Sequence, residues 1–397
     1  MSDKKNTPAV RFRGFYEEWE IDTLANIANV YDGTHQTPKY TNKGVMFLSV
    51  ENITTLKSNK FISEEDFEKE FKNYPQKNDV LMTRIGDVGS ANVVKSEDKL
   101  AYYVSLALIK SNNLNPYFLK ESINTITVQK EIWHRTLHIA FPKKINKGEI
   151  EKIKLPYTNS KPEQTKIGSF FENLDALLTK HQTKHQKLQA LKKAMLGKLF
   201  PKKGATTPEI RFKGFTQDWE VKTLGDIVSF GNGKAHEKHI SNKGGFIVIN
   251  SKFISTNGET KKFCDLVISP LKQNDIVMVM SDIPNGKALA KCFLIEEPNL
   301  YTLNQRICSL SEINDNNLFL YYQLNRNHYF LSFDNGVSQT NLKLQEILEC
   351  PINIPSLKEQ QQIGNYFKNL DALITKHATQ IEKLGAIKKA CLSKMFV

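Results

Sequence analysis

Two stretches of this chain carry apolar residues at helical spacing over an unusual length. Between Glu163 and Phe200 there is no proline, and the only glycines are Gly168 and Gly197. Apolar residues recur there at Phe170, Leu174, Leu177, Leu178, Leu188, Leu191, Met195 and Leu199, a near-heptad stripe. A second stripe runs through Leu370, Leu373, Ile374, Ile381, Leu384, Ile387, Cys391 and Met395. Pro162 and Pro201 bracket the first stretch, and Pro355 precedes the second. The pattern predicts helices over 161–203 and 357–397, each on the order of 57 Å long. Burying an aliphatic side chain contributes roughly 1.5–3 kcal/mol, so neither stripe is expected to stay in water. Each helix is the natural partner of the other. The expected seam is Leu174, Leu177, His181, Leu188 and Leu191 against Leu370, Leu373, His377, Leu384 and Ile387. The regions between, 21–160 and 221–356, read as mixed α/β. FIVIN, NDIVMVM and RICSL suit short strands, whereas LFLYYQLNRNHYFLSF suits helix or strand.

The helices are two copies of one sequence. Residues 161–200 and 357–396 align without a gap and share 23 of 40 positions, too many for two unrelated helices. A shorter motif also recurs: TPAVRFRGFYEEWE at Thr7–Glu20 and TPEIRFKGFTQDWE at Thr207–Glu220. A third echo pairs KNDVLMTRIGDVGSANVV at 77–94 with QNDIVMVMSDIPNGKALA at 273–290. The period is about half the chain, so the unit is a duplicated domain plus helix rather than a solenoid repeat. A two-fold-like relation between the copies makes the helices antiparallel. The frame repeats closely while the regions it encloses diverge.

The order RFxGFxxxWE, variable region, EQxxIGxxFxNLDALxTKH, all repeated, resembles the specificity subunits of type I restriction–modification systems. The resemblance covers the whole chain. It implies an α+β fold with pseudo-two-fold symmetry: two globular target-recognition domains separated by a pair of long antiparallel coiled-coil helices. The corresponding spans are 1–160 and 204–356 for the domains, and 161–203 and 357–397 for the helices. It further implies that each domain reads one half of a split site in double-stranded DNA and that the helices set the gap. Two methyltransferase subunits are implied as partners, with restriction translocase–nuclease subunits as further ones. AdoMet, ATP and Mg²⁺ then belong to those partners, and no cofactor or metal is expected in this chain. The ND[VI]xxM stretch and LNQRICSL at 303–310 resemble framework segments, and YVSLALIK at 103–110 departs from the latter. A coiled-coil adaptor with two protein-binding domains would explain the duplication equally well.

Charge separates these two readings. The chain has 55 Lys plus Arg against 42 Asp plus Glu, a net +13, which suits a polyanionic partner because phosphate neutralisation releases counterions. The adaptor leaves that excess unexplained. Five cysteines without a CxxC suit reduced thiols in a cytoplasmic protein rather than disulfides or zinc. The start, MSDKKNTPAV, lacks the apolar core of a signal peptide, and no apolar run reaches membrane-spanning length.

Enzymatic motifs are incomplete. Asn115-Pro116-Tyr117 lacks the second proline of an adenine-methyltransferase motif and reads as a turn. Gly231-Asn232-Gly233-Lys234-Ala235 lacks the spacing and hydroxyl of a phosphate loop. Asp87, Glu97 and Lys99 have nuclease-like spacing that the second half does not repeat. His181 and His185 lie four apart, but Ile381 replaces the second histidine in the other copy, so a polar interruption of the seam is expected rather than a metal site. Lys192, Lys193, Lys388 and Lys389 read as a solvated face or a contact for acidic partners or DNA. Base reading calls for loop residues with donors and acceptors matching base edges. In the first domain these are Thr34, His35, Gln36, Thr37 and Arg84. In the second they are Lys234, His236, Lys238, Asn285, Lys287, Gln339, Asn341 and Lys343.

Overall fold

The computed structural model describes residues 6–202 and 204–397. The chain divides into two compact units: residues up to Gln182 together with Ala378–Val397, and Thr183–His377. The division falls inside the long helices, so each helix contributes one half to each unit.

Both units are built the same way. In the first, a four-stranded antiparallel sheet has the order Asn29–Asp32, Leu106–Lys110, Val80–Ile85, Asp87–Val93. Beside it lies a three-stranded sheet, Phe61–Ile62, Val45–Leu48 and Leu100–Tyr102, whose last two strands are parallel. The second unit repeats this with Ser229–Asn232, Ile307–Ser311, Ile276–Val279 and Cys292–Leu294, and with Phe263–Cys264, Phe246–Ile249 and Tyr301–Leu303. Both opening Asn residues of the NDV and NDI stretches, Asn78 and Asn274, take left-handed backbone (φ 73° and 71°) just before their strands. The ambiguous aromatic stretch resolves into two helices, Asn317–Leu324 and His328–Leu331. Cys308 and Cys350 lie within the second core, and burial pushes both thiols up to about 12, so they pack as small apolar groups.

The repeated opening motif ties each unit to its helices. Glu20–Thr23 pairs with Lys154–Tyr157, and Glu220–Thr223 with Pro351–Ile354, so each domain's two ends close on each other. The Arg11 guanidinium grips the buried Glu163 carboxylate through two hydrogen bonds of 2.5 and 2.7 Å. Arg211 does the same to Glu359, at 2.7 Å twice. Trp19 meets Phe118 and Phe396 edge-on, and Trp219 meets Phe319 and Phe200. Gly168 and Gly364 explain themselves here. An added Cβ at Gly168 would lie 2.5 Å from the Asn115 side chain, and one at Gly364 would lie 3.0 Å from that of Asn316. Each asparagine caps the helix that packs on the glycine, which is also the role of the Asn115-Pro116-Tyr117 turn.

The long helices span Lys161–Leu196 and Leu357–Lys394. The first is shorter than 161–203 because residues 197–200 turn, carrying Leu199 and Phe200 into the cluster around Trp219. Likewise Met395 and Phe396 leave the second helix to pack around Trp19. Within the first unit Ile167, Phe171 and Leu174 share a cluster with Leu384, Cys391 and Met395. Within the second, Leu188 and Met195 share one with Ile363, Phe367, Leu370 and Ile374. In both, the early part of one helix faces the late part of the other, so the helices run antiparallel.

The seam differs from the expected one. Burial follows Ile167, Phe171, Leu174, Leu178, His181, His185, Leu188, Lys192, Met195 and Leu199, alternating four and three residues apart. The second helix repeats it from Ile363 through Phe367, Leu370, Ile374, His377, Ile381, Leu384, Lys388 and Cys391 to Met395. Leu177, Leu191, Leu373 and Ile387 are 42–47 % exposed and off the seam. The adjacent apolar pairs at 177–178 and 373–374 hid the register, and at 192 and 388 the seam residue is a lysine. Lys192 bonds Asp371 at 2.5 Å, and Lys388 bonds Asp175 at 2.6 Å. These lysines are cross-helix ties, whereas Lys193 and Lys389 are exposed. Asp175 also accepts from Lys120 at 2.5 Å. Burial pushes the Asp175 carboxyl up, but the bonds from Lys120 and Lys388 outweigh it and hold the group below the usual aspartate value.

Candidate nucleic-acid interface

Each unit opens a cleft where its two parallel strands end. In the first, Leu48 pairs with Tyr102, and the chain continues into Ser49-Val50-Glu51 and Tyr103-Val104-Ser105. In the second, Ile249 pairs with Leu303, and the chain continues into Asn250-Ser251-Lys252 and Asn304-Gln305-Arg306. The hydrogen bonds correspond: Tyr103 N–H to Leu48 at 2.9 Å, and Asn304 N–H to Ile249 at 3.0 Å. A neighbouring strand then crosses at Gly33 or Gly233. A Cβ would lie 2.5 Å from the Tyr102 carbonyl at the first and 1.9 Å from the Asn304 carbonyl at the second. Only glycine lets the strand approach so closely. The crossing places Thr34 and Lys234, both expected readers, at equivalent positions beside the clefts.

The clefts share a backbone and differ in lining. The first, about 440 Å³, is bounded by Thr37, Tyr40, Phe47, Ser49, Tyr103, Ser105 and Pro142 among others. Lys60 lies 5.7 Å over the Tyr40 ring and bonds Glu51 at 2.8 Å, holding that carboxyl below its usual range. The second, about 300 Å³, is polar: Asn250, Ser251, Ser281, Asn304, Gln305 and Arg306, with Ile307. The Arg306 residue is exposed at a left-handed backbone position (φ 67°), and its guanidinium has no hydrogen bond or ion pair among the described residues.

Expected readers gather around these clefts unevenly. His35, Gln36 and Thr37 are exposed, with Thr37 in the first cleft wall. Gln339 and Asn341 both bond Ser281 in the second wall, at 2.8 and 2.6 Å. Asn285 sits nearby through Gly336 and Asp334. Lys238, Lys287 and Lys343 are exposed, and Lys343 stands just before the helix Leu344–Leu348, its backbone N–H donating to the Glu346 carboxylate at 2.8 Å. Two candidates are committed to the fold instead. Arg84 is 6 % exposed, ion-paired to Asp32 and bonded to the Ile145 carbonyl at 3.1 Å. His236 is 1 % exposed, with one ring nitrogen on the Lys234 carbonyl and the other on the Thr302 hydroxyl. Arg306, Gln305, Asn304 and Asn250 were not foreseen, since LNQRICSL reads as frame. Its backbone is frame, yet its first residues line the cleft.

No catalytic constellation forms from the motif fragments. Lys99 pairs with Glu68 and Glu64, Glu97 with Lys77, and Asp87 with the Thr83 hydroxyl, so the nuclease-like trio is dispersed. Among the described residues no three His, Cys, Asp or Glu side chains gather as a metal would require. No described helix is long and apolar enough to cross a membrane. What two polar-rimmed clefts beside exposed lysines can do is engage edges and charges on a ligand's surface.

Comparison with known proteins identifies the class. Residues 16–192 and 216–385 match the type I restriction modification DNA specificity domain, one match per repeat. The chain therefore belongs to that family. It is 27 % identical over 325 residues to the type I restriction enzyme MjaVIII specificity subunit of Methanocaldococcus jannaschii, covering 77 % of this chain and 72 % of that one. Over 199 residues it is 25 % identical to a putative type I restriction enzyme MjaX specificity subunit of the same organism, covering 45 % of this chain and 46 % of that one. The fold is shared with the S subunit of a type I restriction–modification system from M. genitalium, with a TM-score of 0.67 at 16 % identity over 98 % of this chain and 99 % of that one.

Proposed function

We propose that this specificity protein reads a split site in duplex DNA, each unit contacting one half through the surface around its cleft. One observation carries the reading: equivalent clefts on one repeated backbone are lined by different side chains, as two readers of different half-sites require. Base edges are distinguished by donors, acceptors and methyl groups in the grooves, so a changed lining changes the sequence read. The excess of positive charge supplies the sequence-independent attraction to phosphates. The paired helices set the gap between half-sites and offer docking places to two methyltransferase subunits, with translocase–nuclease subunits joining the assembly. Catalysis, with AdoMet, ATP and Mg²⁺, resides in those partners.

Exchange of one variable region tests this. Cutting after Thr223 and before Pro351 preserves the strand pair that closes the second domain. Grafting a different variable region between those points is expected to change one half of the methylated site and leave the other and the gap intact. Mapping methylated positions in cells carrying the graft and its methyltransferase gives the answer. A simultaneous change in both halves would overturn the one-domain, one-half-site reading.

A further inference from the structure

The chain between Leu137 and Lys144 forms a small projecting loop in the first unit. Leu137 N–H donates to the Lys144 carbonyl at 2.7 Å, Gly86 N–H to that of Lys143 at 2.8 Å, and Ile145 N–H to that of Arg84 at 3.0 Å. The base is therefore fixed to the central sheet. One flank is further stiffened by Trp133, whose ring lies 4.1 Å from the His138 ring and 4.9 Å beneath the Lys143 ammonium. The tip is the opposite of what a solvated loop should be. Ile139 and Phe141 are 98 % and 105 % exposed, the most exposed large apolar side chains in the described chain. The fold makes no use of them, and two fully hydrated apolar groups on one short loop are unfavourable unless something covers them.

The surroundings indicate the cover. Lys143 and Lys144, at the base of the loop, are both exposed, and neither has an ion pair among the described residues. Pro142, next to Phe141, is part of the wall of the first cleft with Thr37, Tyr103 and Ser105. An apolar tip flanked by two exposed lysines, beside a base-reading cleft, matches the way proteins drive an aromatic or aliphatic wedge between stacked base pairs while lysines hold the flanking phosphates. We propose that Phe141 is such a wedge, inserting at a base step in or beside the half-site read by the first unit. The inference rests on the DNA-reading function above and assigns it a residue and a mode.

The second unit makes the contrast. Leu342 N–H donates to the Met280 carbonyl as Ile145 does to Arg84, which aligns Asn341 with Lys144 and Ser338 with Phe141. Ser338 cannot act as a wedge, the exposed Val337 before it lacks the reach of a phenylalanine ring, and the adjacent Gln339 turns inward to Ser281. Distortion of the duplex is thus expected at one half-site and not at the other.

The test uses the purified full chain and a pool of random-sequence duplexes. The duplex enriched by the wild-type chain is resynthesised with the fluorescent base 2-aminopurine at single positions. Wild type is expected to raise the fluorescence at one step of one half-site, reporting unstacking. Phe141→Ala should abolish the rise and weaken binding about tenfold, with an unchanged salt slope because no charge is lost. Phe141→Leu should retain most of both, since leucine also wedges. Because the side chain is wholly exposed, thermal stability of both variants should match wild type, which removes misfolding as an explanation. Binding and fluorescence by Phe141→Ala equal to wild type would overturn the wedge. Failure of the wild-type chain to enrich any sequence would overturn the wedge and the DNA-reading function together.

Discussion

Glu163 and Glu359 are buried carboxylates in the first turns of the long helices, and each survives there because an arginine from the opening motif forks onto it. Removing one partner of such a pair leaves an uncompensated buried charge, typically ~3–5 kcal/mol. Arg11→Met is therefore expected to lower the melting transition of the first unit strongly, and Arg11→Met with Glu163→Leu to recover much of the loss. Differential scanning calorimetry of the full chain checks both. Asp175 gives a pH signature. Its folded-state carboxyl lies below the ordinary value of 3.8, so its stabilising contribution is complete above that value and is lost as pH falls towards the folded one. The gap in melting temperature between wild type and Asp175→Asn should be constant near neutrality and close only as pH falls below about 3.8. An unchanged gap at acid pH would contradict the assignment. At this scale sequence reading separated residue types from their surroundings poorly. His236 and Arg84 have the right chemistry for base edges, but Thr302 and Asp32, distant in sequence, claim them. Thr34 and Lys234 lie at equivalent places beside the clefts, where Gly33 and Gly233 fix the backbone that presents them, a correspondence the loop composition alone did not show.

The long helices were foreseen, but not the face each one buries. A stripe of leucines tells that a seam exists, whereas the choice between Leu177 and Leu178 depends on what the other helix presents. Lys192 and Lys388 sit on that seam because Asp371 and Asp175 meet them. The corrected register separates two sets of substitutions. Leu188→Asp would bury a carboxylate beside Trp219, Phe319 and Phe367, and is expected to unfold or severely destabilise the second unit. Leu177→Asp and Leu191→Asp place the charge in water, so their effect on stability should stay within about 0.5 kcal/mol. Chemical denaturation distinguishes them. If Leu177→Asp proved as damaging as Leu188→Asp, the seam would have to run through the leucines after all. Because the exposed residues recur at matching positions, Leu177 with Leu373 and Leu191 with Ile387, their double aspartate variants are expected to impair the proposed docking of methyltransferase subunits with folding intact.

Across the whole molecule, the internal duplication was the most informative feature of the sequence, since it revealed the frame before any element was known. Clefts were invisible to it, because they arise from strand ends some fifty residues apart. The helices' role as a spacer is testable at the points where the units divide. Adding four residues after Gln182 and four after His377 keeps every contact within each unit and lengthens both helices by about one turn, ~6 Å. With ~3.4 Å per base pair, the gap between methylated half-sites should widen by one or two base pairs, with both half-sites unchanged. An unaltered gap in an active variant would limit the helices to docking. The interleaving of the units also bears on synthesis. The first unit is closed by Met395 and Phe396 against Trp19, residues made roughly two hundred positions after Gln182. At about 5–20 residues per second, the nascent first half waits some 10–40 s with its aromatic seat empty. Through that interval Trp19, Phe118 and Phe171 stand open to any apolar segment nearby, so chaperone dependence during translation should be greatest for the half of the protein that emerges first.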